Sequence, residues 1–179
     1  PWDDAVTMAL EFAQIDYEKL WDEEVLSGKL DDYDWIHLHH EDFTGQYGKF
    51  FASYGREMWY REQQRLYEAM AHRLGYGKVS DQKRAVARRI RDYVAGGGFL
   101  FAMCSATDTF DIALAAGEAD IVPSPYDGDP HSPRAQELLD FGRTVAFRDF
   151  TIELDALVYE HSDIDTTPRD ARRIRSAEA

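Results

Sequence analysis

Apolar residues recur every three to four positions in several stretches of the chain, which is the pattern of amphipathic helices. The long predicted helices cover residues 2–14, 56–74 and 81–94. An acidic residue at position 3 or 4 is a suitable N-cap for the first helix, and Ser80 is a suitable N-cap for the third. Two further helices are predicted, one from Thr107 onward and a shorter one over residues 133–141.

Short apolar or alternating runs separate these helices and predict strands. The predicted strands cover residues 16–20, 34–40, 99–103, 119–122 and 144–159. Because helix and strand patterns alternate, the predicted fold is α/β and flavodoxin-like, with a doubly wound, mostly parallel sheet and helices on both faces. Residues 41–78 are predicted to form an inserted loop and helix that cover one end of this sheet.

Length and composition favour one globular domain. The 179 residues are 44% hydrophobic, so we expect one core over residues 1–165, followed by a polar tail or linker over residues 166–179. The net charge of −14 predicts repulsion of nucleic acid, so the expected partner is a small-molecule ligand or substrate. Membrane insertion is not expected, because no apolar run approaches the roughly 20 residues that cross a bilayer.

The only cysteine of the chain, Cys104, lies where the predicted strand 99–103 meets the helix that follows it. A nucleophile at such a turn projects from the carboxyl end of the sheet, where α/β folds bind their ligands. Free N–H groups at the helix start favour a thiolate and can hold an oxyanion, so Ser105, Thr107 and Asp108 are candidate oxyanion or substrate-binding residues. The alternative is a buried structural cysteine, since free cysteine is among the most buried residue types.

Histidines and an acid occupy the end of the predicted strand 34–40 and the turn that follows. His37 and His39 share one face of the strand, and His40 and Glu41 begin the turn. Such groups suit a divalent metal, contacts with substrate, or core positions bonded to the backbone. Their spacing matches no specific metal motif, so no metal or other cofactor is predicted. His39 is a candidate substrate contact, and His40 a candidate base for the thiol with Glu41 as its orienting acid.

Two long motifs carry a resemblance to known proteins. They are WIHLHHEDFTGQYG at residues 35–48 and GGFLFAMCSATD at residues 97–108. The strand, cysteine and helix in series resemble the nucleophile elbow of the class I glutamine amidotransferase-like superfamily. Both motifs are similar to a bacterial family labelled "asparagine synthetase B". This resemblance implies an amidotransferase-like α/β domain within a longer chain, and export to the periplasm or the cell exterior.

The chain departs from that superfamily in several ways. Ala102 and Ala106 stand where the amidotransferase elbow has glycines. His161-Ser162-Asp163 is the nearest match to the His-x-Glu of the superfamily triad, which makes His161 a second candidate base and Asp163 its candidate acid. ATP-dependent synthesis is not predicted, because the Ser-Gly-Gly-x-Asp-Ser loop of true asparagine synthetases does not occur in the sequence.

The predicted function is therefore that of a cysteine-dependent amidotransferase-like or hydrolase-like domain, with a glutaminase or amidohydrolase type of activity on an amide or related acyl group. The alternative is a non-catalytic module that binds a small ligand, such as a sugar, in the same crevice. Aromatic residues concentrated between positions 43 and 60 favour the alternative. So much apolar area is expected to pack on the domain, on chain segments outside this sequence, or on a second subunit of a homo-oligomer.

Overall fold

The computed structural model describes residues 5–165, so the predicted caps at positions 3 and 4 and the predicted tail over 166–179 lie outside the described residues. The helices and strands are α1 (Ala5–Phe12), α2 (Asp22–Leu26), β1 (Trp35–Leu38), α3 (Phe51–Tyr54), α4 (Met58–Arg73), α5 (Val79–Ala95), β2 (Phe99–Ala102), α6 (Ser105–Ala116) and α7 (Ser124–Asp127). Short 3-10 helices lie at Lys29–Asp32, Tyr47–Lys49, Ala135–Leu138, Phe141–Arg143 and Asp163–Asp165. None of the helices within residues 5–165 combines the length and apolar character needed to cross a bilayer.

The prediction of a doubly wound, flavodoxin-like sheet is wrong. Over the described residues the sheet consists of β1 and β2 alone, which run parallel in the register Trp35↔Phe99 to Leu38↔Ala102. The predicted strands 16–20, 119–122 and 144–159 do not join it, and the rest of the domain is mainly helical. The predicted helix over 133–141 is replaced by two short 3-10 turns.

The segment 119–122 does not pair as a strand because nearby side chains take its backbone hydrogen bonds. Val122 donates its N–H to the Asp120 carboxylate (2.9 Å), and Asp120 donates its own N–H to the Ser132 hydroxyl (3.2 Å). Backbone groups bonded to side chains in this way are not available to a neighbouring strand.

A buried carboxylate takes up the backbone N–H groups at the start of the segment 144–159, which therefore does not form a strand there. Asp111 of α6 is 1% exposed and accepts the N–H groups of Val145, Ala146 and Phe147 at 2.7, 2.8 and 2.7 Å. Residues 145–147 are thus bonded to α6, and further along, within residues 5–165, the segment pairs only through an isolated antiparallel bridge between Ile152 and Ser162. Hydrogen bonds that a segment donates to a distant helix leave no periodic signal in the sequence of that segment.

The main core lies between one face of the sheet and helices α5 and α6. Val86 and Ile90 of α5, Phe110 of α6 and Leu38 of β1 are buried together there. Because side chains alternate along a strand, the opposite face carries different residues. On this outer face Phe99 is 60% exposed. The short helix α1 lies beside the same face, near Trp35 and Phe101.

The aromatic segment between positions 43 and 60 is only partly buried. Phe43 and Tyr60 belong to the buried residues, whereas Phe50, Tyr54 and Trp59 remain 41, 43 and 49% exposed. The segment thus packs on the domain through Phe43 and Tyr60, with Tyr47 and Phe51 partly buried against Tyr126. Packing of the exposed aromatic residues on other chain segments or on a second subunit stays a prediction.

Candidate functional site

Cys104 occupies the turn between β2 and α6, where it is the N-cap of the helix. Its backbone dihedrals are φ 54° and ψ −137°. Residues other than glycine rarely adopt a positive φ, and such strain concentrates at functional sites. The Cys104 thiol is free and exposed, so the turn presents it to solvent. A sharp strand-to-helix turn that exposes a nucleophile is the arrangement of a nucleophile elbow.

The first turn of α6 supplies a free backbone donor beside Cys104. Ala106 donates its N–H to the Met103 carbonyl (3.2 Å), and Thr107 donates its N–H to the Cys104 carbonyl (3.0 Å). Ser105 comes before both, so its N–H has no acceptor inside the helix. This N–H belongs to the residue that directly follows Cys104 and is available to an acceptor outside the helix. Asp108 is buried one residue after these donors.

The neighbouring strand brings the histidines to the same edge of the sheet. Met103 donates its N–H to the Leu38 carbonyl (3.0 Å), which extends the strand register by one residue and places His39 beside Met103. The rings of His39 and His40 stack with centroids 3.8 Å apart. His40 is exposed and follows directly at the edge that carries Cys104.

Glu41 fixes the turn that carries these histidines. Its carboxylate accepts the backbone N–H of His39 at 2.5 Å. Its carbonyl accepts the Thr109 hydroxyl of α6 at 3.1 Å. Glu41 thus ties the end of β1 to the start of α6. Together, Cys104, His39, His40 and Glu41 are called the sheet edge below.

Within residues 5–165, the structure does not pair the thiol with a base. No hydrogen bond or ion pair joins Cys104 to His40 or to His161. The roles given to these residues stay predictions.

His161 lies next to a different acid from the one predicted. Its Nε2 is 3.7 Å from Oδ2 of Asp42, and the two side chains are 7 and 8% exposed. Asp163 instead accepts the N–H of Thr151 at 2.7 Å. The sequence does not show this contact, because Asp42 and His161 are far apart in the chain and only the fold brings them together.

The Asp42 carboxylate is the centre of a buried set of hydrogen bonds. It accepts the N–H of Thr44 (2.7 Å), the hydroxyl of Thr44 (2.5 Å) and the N–H of Gly48 (2.7 Å). Burial opposes ionisation, but the charge of His161 and these donors hold the pKa of Asp42 well below its usual range. The spacing Asp-x-Thr, typical of an Asx turn, was the available signal in the sequence.

Lys49 is a buried cation that sequence analysis did not single out. It is 1% exposed, and its ammonium group donates to the carbonyls of Glu153 (2.8 Å) and Glu160 (2.9 Å). Burial lowers the pKa of Lys49 to about 8. Tyr47, Gly48 and Lys49 have φ values of 52°, 70° and 55°, so the backbone is strained where it delivers this side chain. Asp42, Thr44, Lys49 and His161 are called the loop cluster below.

A group of acids elsewhere has the geometry of a metal site but already holds a cation. Asp120, Asp127 and Asp129 place their carboxylates close enough together to share a metal ion. The Lys78 ammonium group lies among them at 2.6, 3.0 and 2.7 Å. Although burial opposes it, these hydrogen bonds raise the pKa of Lys78, so the ammonium group stays charged and offsets part of the negative charge of the acids.

No family model matches the chain, and neither a curated protein nor a solved structure does. The resemblance to the amidotransferase-like superfamily therefore stays a prediction that rests on the two motifs.

Proposed function

We propose that the protein is a cysteine-dependent hydrolase or amidotransferase-like enzyme that cleaves an amide or related acyl bond, with Cys104 as its nucleophile. The observation that carries this proposal is the strained backbone of an exposed cysteine at a strand-to-helix turn, φ 54° and ψ −137°. A structural cysteine needs neither exposure nor a disfavoured backbone, whereas a nucleophile benefits from both.

In the proposed reaction the Cys104 sulfur attacks the acyl carbon while His40 removes the thiol proton. The Ser105 N–H donates to the oxygen that becomes negatively charged. The bond to the leaving amine or alcohol then breaks, the leaving group takes the proton from His40, and a thioester remains. Water attacks this thioester as His40 accepts its proton, the acid is released, and the proton returns to the sulfur.

His40 suits the role of base better than His161 does. His40 is exposed at the edge of the sheet that carries Cys104, and Glu41 holds the turn on which it lies. His161 is only 7% exposed, with its buried Nε2 3.7 Å from Oδ2 of Asp42, so burial keeps this nitrogen away from a substrate. We therefore assign His161 to the loop cluster and His40 to the chemistry.

Intact-mass spectrometry after mixing with p-nitrophenyl acetate tests the nucleophile. We expect a transient acetyl adduct on the wild-type chain and none on Cys104→Ser. The matched control carries Cys104→Ser together with Ala95→Cys, which places an exposed cysteine at the carboxyl end of α5, away from any helix start. Acylation of this control should be at least about tenfold slower, because a helix N-terminus favours the thiolate. Equal rates at the two positions would disprove activation of Cys104.

Non-catalytic binding of a small ligand is the second candidate function, and one observation favours it. A separate cavity of about 460 Å³ lies near Phe51, Pro123, His131 and Asp155, with the mixture of apolar and polar walls that suits a sugar. Calorimetric titration with a panel of neutral sugars tests this hypothesis of ligand binding. Binding that Phe51→Ala weakens, in a protein whose Cys104 forms no adduct, would replace the enzymatic proposal.

A further inference from the structure

A cavity of about 470 Å³ lies between α1 and the outer face of the sheet. Its volume is within the range of about 300–1,000 Å³ that is common for small-molecule sites. Its walls are almost entirely apolar: α1 contributes Val6, Ala9 and Leu10, and the sheet side contributes Trp35, Phe101 and Met103. Ala5 and Ala9 of α1, which have small side chains, also line this space.

The cavity lies next to the sheet edge along both strands. His37 and Phe101 line it from neighbouring strands, with ring centroids 5.2 Å apart. His39, two residues further along the same face, has its ring centroid 6.1 Å from that of His37. On the other strand Met103 lines the cavity and immediately precedes Cys104. The cavity floor therefore leads along both strands to the residues that carry the proposed reaction.

We infer that this cavity binds the apolar acyl group of the substrate whose carbonyl carbon Cys104 attacks. The acyl group is an aliphatic or aromatic chain, and not the polar side chain of an amino acid such as glutamine. Apolar walls favour an apolar occupant through the hydrophobic effect, whereas a carboxamide there would lose its water without gaining enough hydrogen bonds. The inference rests on the proposed function for the position of the carbonyl group. The apolar binding follows from the cavity itself.

Binding can be measured separately from turnover by methyl NMR of Cys104→Ser, with octanoate as the probe and glutamine as the polar control. We expect octanoate to shift the methyl signals of Val6, Leu10 and Met103, and glutamine to leave them unchanged. The absence of octanoate shifts, or equal shifts with glutamine, would overturn the inference whether or not Cys104 proves to be a nucleophile.

Two matched substitutions locate the ligand. Ala9→Trp fills the cavity, while Ala13→Trp adds the same side chain at an exposed position just beyond α1. Ala9→Trp should weaken octanoate binding at least about tenfold, and Ala13→Trp should not, because even small changes of a hydrophobic pocket alter affinity by about tenfold or more. The dispersion of the NMR spectrum checks that both variants fold. Equal binding by Ala9→Trp and Ala13→Trp would place octanoate elsewhere and overturn the inference.

Turnover then separates the inference from the proposed function. On wild type we expect a higher kcat/KM for p-nitrophenyl octanoate than for p-nitrophenyl acetate, and Ala9→Trp should lower this ratio about tenfold. Octanoate binding without turnover of any ester or amide would support the apolar site and disprove the proposed function. A wild-type dimer that Ala9→Trp dissociates, measured by sedimentation, would assign the face to a second copy of the chain and overturn the inference.

Discussion

The sheet edge and the loop cluster differ in how completely the protein bonds its own polar groups. At the sheet edge the Cys104 thiol and the His40 ring are exposed, and the thiol is free. In the loop cluster the Asp42 carboxylate accepts three hydrogen bonds from Thr44 and Gly48, and Lys49 donates two to backbone carbonyls. Bonded groups hold the shape of the chain, whereas exposed groups remain available to a substrate.

The sheet edge and the loop cluster are nevertheless connected, because they share a single stretch of chain. Residues 39–41 belong to the sheet edge, and residues 42–49 form the loop of the cluster. Lys49 and Asp42 hold this loop against residues 153–161, which keeps the turn bearing His40 in place. In the proposed function, the sheet edge would provide the chemistry and the loop cluster would hold it rigidly, an arrangement that functional sites need.

The largest expected effect is on stability, from Asp42→Ala. The substitution leaves the N–H groups of Thr44 and Gly48 and the ring of His161 without their buried partner, so unfolding in urea should show a loss of about 3–5 kcal/mol. Glu41→Ala, the adjacent acid at the sheet edge, is the matched control and should cost no more than about 1.5 kcal/mol. Similar losses for the two variants would mean that the regions do not differ as described.

His40→Gln should have the opposite effect to Asp42→Ala: a large loss of activity with little loss of stability. Removal of the base is expected to lower kcat about 100-fold or more on whichever acyl substrate the enzyme accepts. Stability should change by less than about 0.5 kcal/mol, as is usual for an exposed residue. His72→Gln, an exposed histidine on α4, serves as the control for both measurements. An unchanged kcat for His40→Gln would remove His40 from the mechanism.

The titration of the buried Lys49 should be detectable in the pH dependence of stability. Burial lowers its pKa in the folded protein from 10.5 to about 8, so between these values the unfolded chain binds more protons than the folded one. Stability from this group therefore rises with pH across that window, by about 1–3 kcal/mol. Measurements between pH 8 and 10 avoid Tyr60, whose pKa burial raises to about 12. Lys49→Met should lack this rise of the unfolding free energy. An identical pH profile for the wild type and Lys49→Met would contradict the prediction.

The smallest expected effect concerns strain at the elbow. Glycine tolerates the backbone of Cys104 without penalty, so Cys104→Gly should stabilise the protein by about 0.5–1 kcal/mol even as it removes the nucleophile. Cys104→Ala keeps the strain and should leave the free energy of unfolding unchanged within about 0.5 kcal/mol. A Cys104→Gly variant less stable than Cys104→Ala would show that the turn is not strained.

Sequence reasoning worked where the determining interactions are local. The helix predicted over 81–94 forms as Val79–Ala95, because its apolar periodicity and the glycines after it act within a few residues. The strand-to-helix turn at Cys104 was likewise predicted from neighbouring residues. The extra strands were predicted wrongly, because the side chains of Asp111 and Asp120 take up backbone N–H groups that a sheet would need.

By itself, the sequence determined the longer amphipathic helices, the two strands that pair, and the place of the single cysteine between a strand and a helix, since each depends on periodicity or on adjacent residues. Only the tertiary structure decided that the sheet has two strands within residues 5–165, that His161 lies beside Asp42 and not Asp163, and that Lys49 is buried among distant carbonyls. These features join residues about a hundred positions apart, and no local pattern records which distant partner a polar group will find.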